Sequence, residues 1–264
     1  MVFYCCEVSQ SYTSHTSITK LLKTRGVKLQ GGHTVNVSLK PTETLFIHLG
    51  WLQYCPLEVT KRTRFLWSYR YPLLSYVANL KEMQALNLPA EVAEACITLG
   101  SKQDSHKHII SIELSEHKAV VLHPKYIIAT RGDVHIKTRW ILNRLHSWVT
   151  GRLRYIIFYG TGTIYVYGQG GISLERVEPQ KRVRVDQHAL IGSQANLTFT
   201  TIRNETFWGY YREKEALFDY HFMGDGIVIR QATVSNELIA LANANPFMRI
   251  VNNFMTIIGK VLGF

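Results

Sequence analysis

Apolar and polar positions alternate along most of this chain with a period of two, the spacing of half-buried strands. Val35, Val37 and Leu39 alternate with polar neighbours, and Thr44 to Leu49 resumes after Lys40-Pro41-Thr42, which predicts two strands around a turn. Between Leu73 and Leu86 the period changes: Leu73, Val77, Leu80, Met83 and Leu86 fall at helical spacing. Pro89 suits the first turn of a second short helix through Ile97 that Gly100 stops, so a helical insert is expected over 73–97. From Ile109 to Gln231 short β-branched and aromatic runs, broken by Gly, Asn, Asp and Pro, predict an antiparallel sandwich or barrel.

Part of this pattern occurs twice. Phe158-Tyr159-Gly160-Thr161-Gly162-Thr163-Ile164 returns as Phe222-Met223-Gly224-Asp225-Gly226-Ile227-Val228. Upstream, Ile109, Leu114, Val120, Leu122 and Ile127 meet Ile172, Val177, Val183, Val185 and Leu190. Two tandem copies of a β-unit, about 109–168 and 172–231, follow from this echo. Each Gly-x-Gly precedes a strand rather than a helix, so Gly160, Gly162, Gly224 and Gly226 are expected to form hairpin turns and not a phosphate-cradling loop. The organisation expected is a polar N-terminal arm over 1–32, a duplicated β domain over 33–240 that includes the insert, and an amphipathic helix over 246–264. In that last segment Phe247, Ile250, Val251, Phe254, Ile257 and Val261 share one face.

Composition sharpens this picture. With 46% hydrophobic residues over 264, the chain can bury a sizeable core. Its 30 Lys and Arg against 19 Asp and Glu give +11, a charge that attracts nucleic acid or an anionic membrane surface. Cys5, Cys6, Cys55 and Cys96 have neither metal spacing nor a C-x-x-C pair, as in a reducing compartment. No secretory leader or membrane-spanning apolar run is present in the sequence, so the expected location is intracellular, in a bacterial cytoplasm or a mitochondrion.

Two constellations have chemical potential. Lys61, Arg62, Arg64, Trp67 and Arg70 interleave cations with aromatic rings, a composition suited to stacking bases or anchoring at lipid headgroups. Gly100, His106, His108 and Glu113 stand at the spacing of the first cupin motif, and two imidazoles with a carboxylate suit a transition metal. Against the metal reading, Val120 replaces that motif's closing glycine, no proline is followed by x-Gly, and the second copy carries Gln169 and Gly171 in place of the histidines. Nucleophile elbow, H-E-x-x-H and Walker signatures are all missing, so neither catalytic residues nor a cofactor are expected.

The stretch Gly160 to Ile172, then Val185-Asp186-Gln187-His188-Ala189-Leu190-Ile191-Gly192, then Phe222 to Gln231, resembles in order and spacing the mitochondrial-biogenesis family called altered inheritance of mitochondria. Gly192 stands where family members usually have alanine. The resemblance implies a TRAP-like fold, a short double-stranded β-helix packed as a sandwich, with trimers or larger rings. It also implies an association with membrane organisation, and it supplies no catalytic residue. The resulting expectation is a non-enzymatic homo-oligomeric β-scaffold with peripheral membrane contact and no known small-molecule substrate. An RNA-binding oligomer built on the basic-aromatic segment and a cupin-like metal enzyme at His106, His108 and Glu113 are the alternatives.

Overall fold

The computed structural model describes residues 31–67, 69, 72–77, 80–102, 106–114, 119–140, 154–186, 188–203 and 218–232. The predicted N-terminal arm, apart from Gly31 and Gly32, and the C-terminal helix lie outside these residues. Strands β1 (Gly31–Gly32), β2 (Thr34–Leu39), β3 (Thr44–His48), β4 (Leu52–Tyr54) and β5 (Thr60–Leu66) come first, followed by α1 (Pro72–Val77). Next are β6 (Lys81–Asn87), β7 (Ala95–Gly100), β8 (Lys107–Glu113), β9 (Val120–Leu122), β10 (Ile127–Trp140) and β11 (Arg154–Gln169). The last are β12 (Ile172–Val177), β13 (Val183–Val185), β14 (Leu190–Gln194), β15 (Thr198–Arg203), β16 (Phe218–Met223) and β17 (Gly226–Gln231). The all-β class is as expected.

The chain divides into two compact units. Among the described residues, the first takes those up to 114 together with 126–135 and 159–167, and the second takes those within 119–125, 136–158 and 168–232. The echo seen in the sequence does not supply one copy to each unit, because 172–231 lies wholly in the second while 109–168 threads both.

In the first unit β2, β7 and β4 make one antiparallel sheet, and β10, β3, β6 and β5 run side by side in another. Alternation makes this arrangement possible. In β2, Val35, Val37 and Leu39 are buried while Thr34 and Asn36 are exposed, so one face of the strand is apolar. Those side chains meet Leu45, Ile47, Leu86, Ile97 and Leu99 in a core closed by Ile109, Ile128 and Tyr165. The predicted turn is real, with the amide of Glu43 donating to the Lys40 carbonyl at 3.0 Å. It joins two sheets and not a hairpin, since β2 pairs with β7 and β3 with β6.

The helical insert is corrected to strands. Among the described residues of that span Pro72–Val77 alone is helical, and Lys81–Asn87 and Ala95–Gly100 are β6 and β7. Met83, Ala85 and Leu86 are all buried, and Ala85 and Leu86 project to opposite faces of β6. A strand covered on both faces loses its alternation, and its apolar spacing then imitates a helix. Pro89 starts a turn, accepting from the Val92 amide at 3.2 Å, and opens no helix.

In the second unit the order is β12, β17, β14, β9 and β11, with β13, β16 and β15 in a separate sheet. Val177, Val183, Val185, Leu197, Tyr220, Phe222 and Val228 form its core. Phe199 packs on Tyr220 nearly edge to face, with ring centroids 5.6 Å apart.

The glycine pairs are corners, not hairpin turns. Gly160 and Gly162 lie inside β11, and Gly224 lies between β16 and β17, which belong to different sheets. Gly160 and Gly224 have φ of 118° and 117°, a conformation L side chains rarely adopt. Glycine here redirects the backbone out of one ladder, which a two-residue hairpin reading could not anticipate.

Candidate functional site

The basic-aromatic segment forms β5, the last strand of its sheet among the described residues. Pairing only with β6, it leaves Lys61, Arg62, Thr63 and Phe65 exposed. The Arg64 guanidinium lies over the ring of Phe46 at 5.3 Å and that of Tyr69 at 5.2 Å. Trp67 meets Phe46 edge-on at 6.4 Å. The structure therefore brings Arg64 and Trp67 together, leaves Lys61 and Arg62 facing water, and does not describe Arg70. Alternation along β5 sends Arg62 and Arg64 to one face and Lys61 to the other.

The histidine and carboxylate set does not converge. Among the described residues, no group of three His, Cys, Asp or Glu side chains is placed to hold a metal ion. His106 precedes β8 and is exposed, and on the strand itself His108 and Glu113, an odd number of positions apart, project to opposite faces. The His108 ring instead stacks against His33, with centroids 4.2 Å apart. Burial first, and the neighbouring His33 second, hold the His108 imidazole below its ordinary value of 6.5. The unfolded chain then takes up a proton near 6.5 that the folded chain refuses until lower pH, so stability falls as pH drops through that window. A melting series from neutral pH to about pH 5.5 is expected to show this decline. His108→Gln should flatten it and His33→Gln should flatten it partly; an unchanged slope in both would contradict the assignment.

Three features escaped sequence reasoning. Lys107 holds its ammonium 5.6 Å from the Trp51 ring and 5.4 Å from that of Tyr167, which Tyr126 in turn meets edge-on. This box is closed by the protein's own cation and pins β8 to the aromatic wall. Arg131 donates to the Ser38 carbonyl at 2.7 Å and reaches the Thr163 hydroxyl at 3.5 Å, with Glu43 3.7 Å away. It ties β2 to β10 and β11. Beside it, burial pushes the Tyr165 phenol up to about 12 even though Arg131 pulls it down. The second unit also holds a cavity of about 50 Å³, lined by Leu122, Tyr155, Ile191, Phe199 and Phe222 among others. That is room for small molecules of the size of water and is well below the usual size of a ligand pocket.

The residues carrying the family resemblance serve the backbone. Asp186 accepts from the His188 amide at 2.7 Å, a local turn that occupies the carboxylate. Gln231, buried, donates to the His188 carbonyl at 3.0 Å and accepts from the Gln169 amide at 3.1 Å. Just outside those stretches, Gln194 accepts from the Ile227 amide at 3.1 Å. At Gly192 a Cβ would stand 2.5 Å from the Val121 carbonyl oxygen, so β9 packs against β14 too closely for the family's usual alanine without movement.

With this geometry in view, comparisons with known proteins give a consistent result. A family model described as mitochondrial biogenesis AIM24 matches residues 27–233. Curated proteins give no match. The X-ray crystal structure of a Streptococcus pyogenes protein is similar in fold, with a TM-score of 0.58 at 14% identity, covering 81% of this chain and 97% of that one.

Proposed function

This chain belongs to the mitochondrial biogenesis AIM24 family, and from that premise we propose that it is a non-enzymatic, homo-oligomeric β-scaffold supporting membrane or organelle organisation. The observation that carries the reading is the use made of the family's own polar residues. Asp186 and Gln231 each satisfy backbone amides or carbonyls, and the glycines turn the chain between ladders. Side chains committed in this way define a shape.

Assembly is supported by strand edges. Among the described residues β5 and β12 end their run of paired strands, and β13, β15, β2 and β4 end the smaller sheets. Such edges offer unpaired amides and carbonyls to a neighbouring copy. Size-exclusion chromatography with light scattering is expected to give a trimer or larger ring. A clean monomer at micromolar concentration would overturn the oligomeric reading.

A further inference from the structure

The strand register of the first unit collects exposed apolar side chains at one end of a sheet. His48 pairs with Met83 and Met83 with Arg64, so the end of β3, the start of β6 and the end of β5 lie level. Leu49, just past β3, is 55% exposed; Phe65 is 71%, Tyr69 59% and, on α1, Tyr76 54%. Four large apolar side chains held in water around one sheet end need a partner more than scattered ones do.

Cations surround them. Arg64 lies over Tyr69, and the Lys81 ammonium lies 4.5 Å from the Tyr76 ring. Arg62 is exposed along the same strand, on the face it shares with Arg64, whereas Lys61 pairs with Leu86 near the opposite end. From Val59 to Lys81 the sequence contains no acid, and Glu82 follows with its side chain exposed. Glu43 and Glu58 belong to the opposite end, where Thr44 pairs with Asn87 and Asn87 with Thr60.

We propose that this end of the first unit is a docking surface for an anionic phospholipid bilayer, with Leu49, Phe65, Tyr69 and Tyr76 entering the interface and Arg62, Arg64 and Lys81 meeting the headgroups. The proposal deepens the scaffold reading by assigning its membrane contact. Tyrosines suit the headgroup level, being apolar in body and polar at the tip, while Leu49 and Phe65 gain from the acyl boundary. Each cation near an anionic surface strengthens partitioning about fivefold. A single-stranded nucleic acid fits less well. Phe65 and Arg64 leave β5 on opposite faces, so no single flat stacking platform forms, and Leu49 has no ring to stack.

The test is co-sedimentation of the full chain with phosphatidylcholine vesicles, with and without phosphatidylglycerol, alongside light scattering and a circular dichroism check of folding. The wild type is expected to sediment with the anionic vesicles and much less with the neutral ones. Arg62→Glu and Phe65→Ser/Tyr69→Ser, all at exposed positions, should each lower partitioning by about tenfold or more while leaving fold and oligomer intact. Failure of the wild type to bind, or undiminished binding by both variants, overturns the docking surface. So does a loss confined to RNA retention or to subunit association. An intact oligomer that ignores vesicles removes this proposal and leaves the scaffold standing; a monomer whose vesicle binding depends on these residues does the reverse.

Discussion

Replacing Gly160 with alanine is expected to destabilise the first unit by about 4 kcal/mol, enough to unfold a domain of ordinary marginal stability on mild warming. Two causes combine. At φ 118° an L residue is strained whatever space surrounds it. The new Cβ would also stand 2.4 Å from the Asp133 carbonyl oxygen, a backbone atom that cannot rotate away. Gly224 separates the two causes. Its φ is 117°, but its nearest neighbour to a Cβ is Leu197 at 3.5 Å, an ordinary contact. Gly224→Ala should therefore cost strain alone, about 1–3 kcal/mol. Urea denaturation followed by circular dichroism measures both, and equal losses would show that the Asp133 contact plays no part.

The second large effect is expected at Gln231. Gln231→Leu keeps the volume and removes both hydrogen bonds, leaving the Gln169 amide and the His188 carbonyl without this buried partner. Each unmet backbone group costs about 1–3 kcal/mol, so a loss of about 2–6 kcal/mol follows for the two. Faster hydrogen exchange at the Gln169 amide would locate the damage at the end of β11. A stable variant with unchanged exchange would mean that water replaces the side chain and that the clasp is dispensable.

Which parts of this fold are legible in sequence depends on whether one face of a strand meets water. β2 is legible because Thr34 and Asn36 are exposed between buried valines. β6 is not, because Ala85 and Leu86 are buried on opposite faces and Leu80 before the strand is buried too, which spaces the apolar residues as in a helix. The glycine corners are legible as glycine requirements, yet local sequence does not say that Gly224 separates strands of two different sheets.

The site divides in the same way. Cations and rings along β5 can be read directly, since they are contiguous. Their clustering with Leu49 follows only from the register of β3, β6 and β5, and with Tyr76 from the contact of its ring with Lys81. Trp51, Tyr126 and Tyr167 around Lys107 come from separate regions of the chain and carry no shared local signal. Conversely, the cupin-like spacing of His106, His108 and Glu113 is present in sequence and dissolves in the structure, because strand alternation parts His108 from Glu113.

Native mass spectrometry of the full chain addresses assembly and ligand content together. Integral multiples of the 30.3 kDa chain, at three copies or more and without added mass, are expected of a ring-forming scaffold. A single-copy ion, or a stoichiometric bound metal or cofactor, would contradict it.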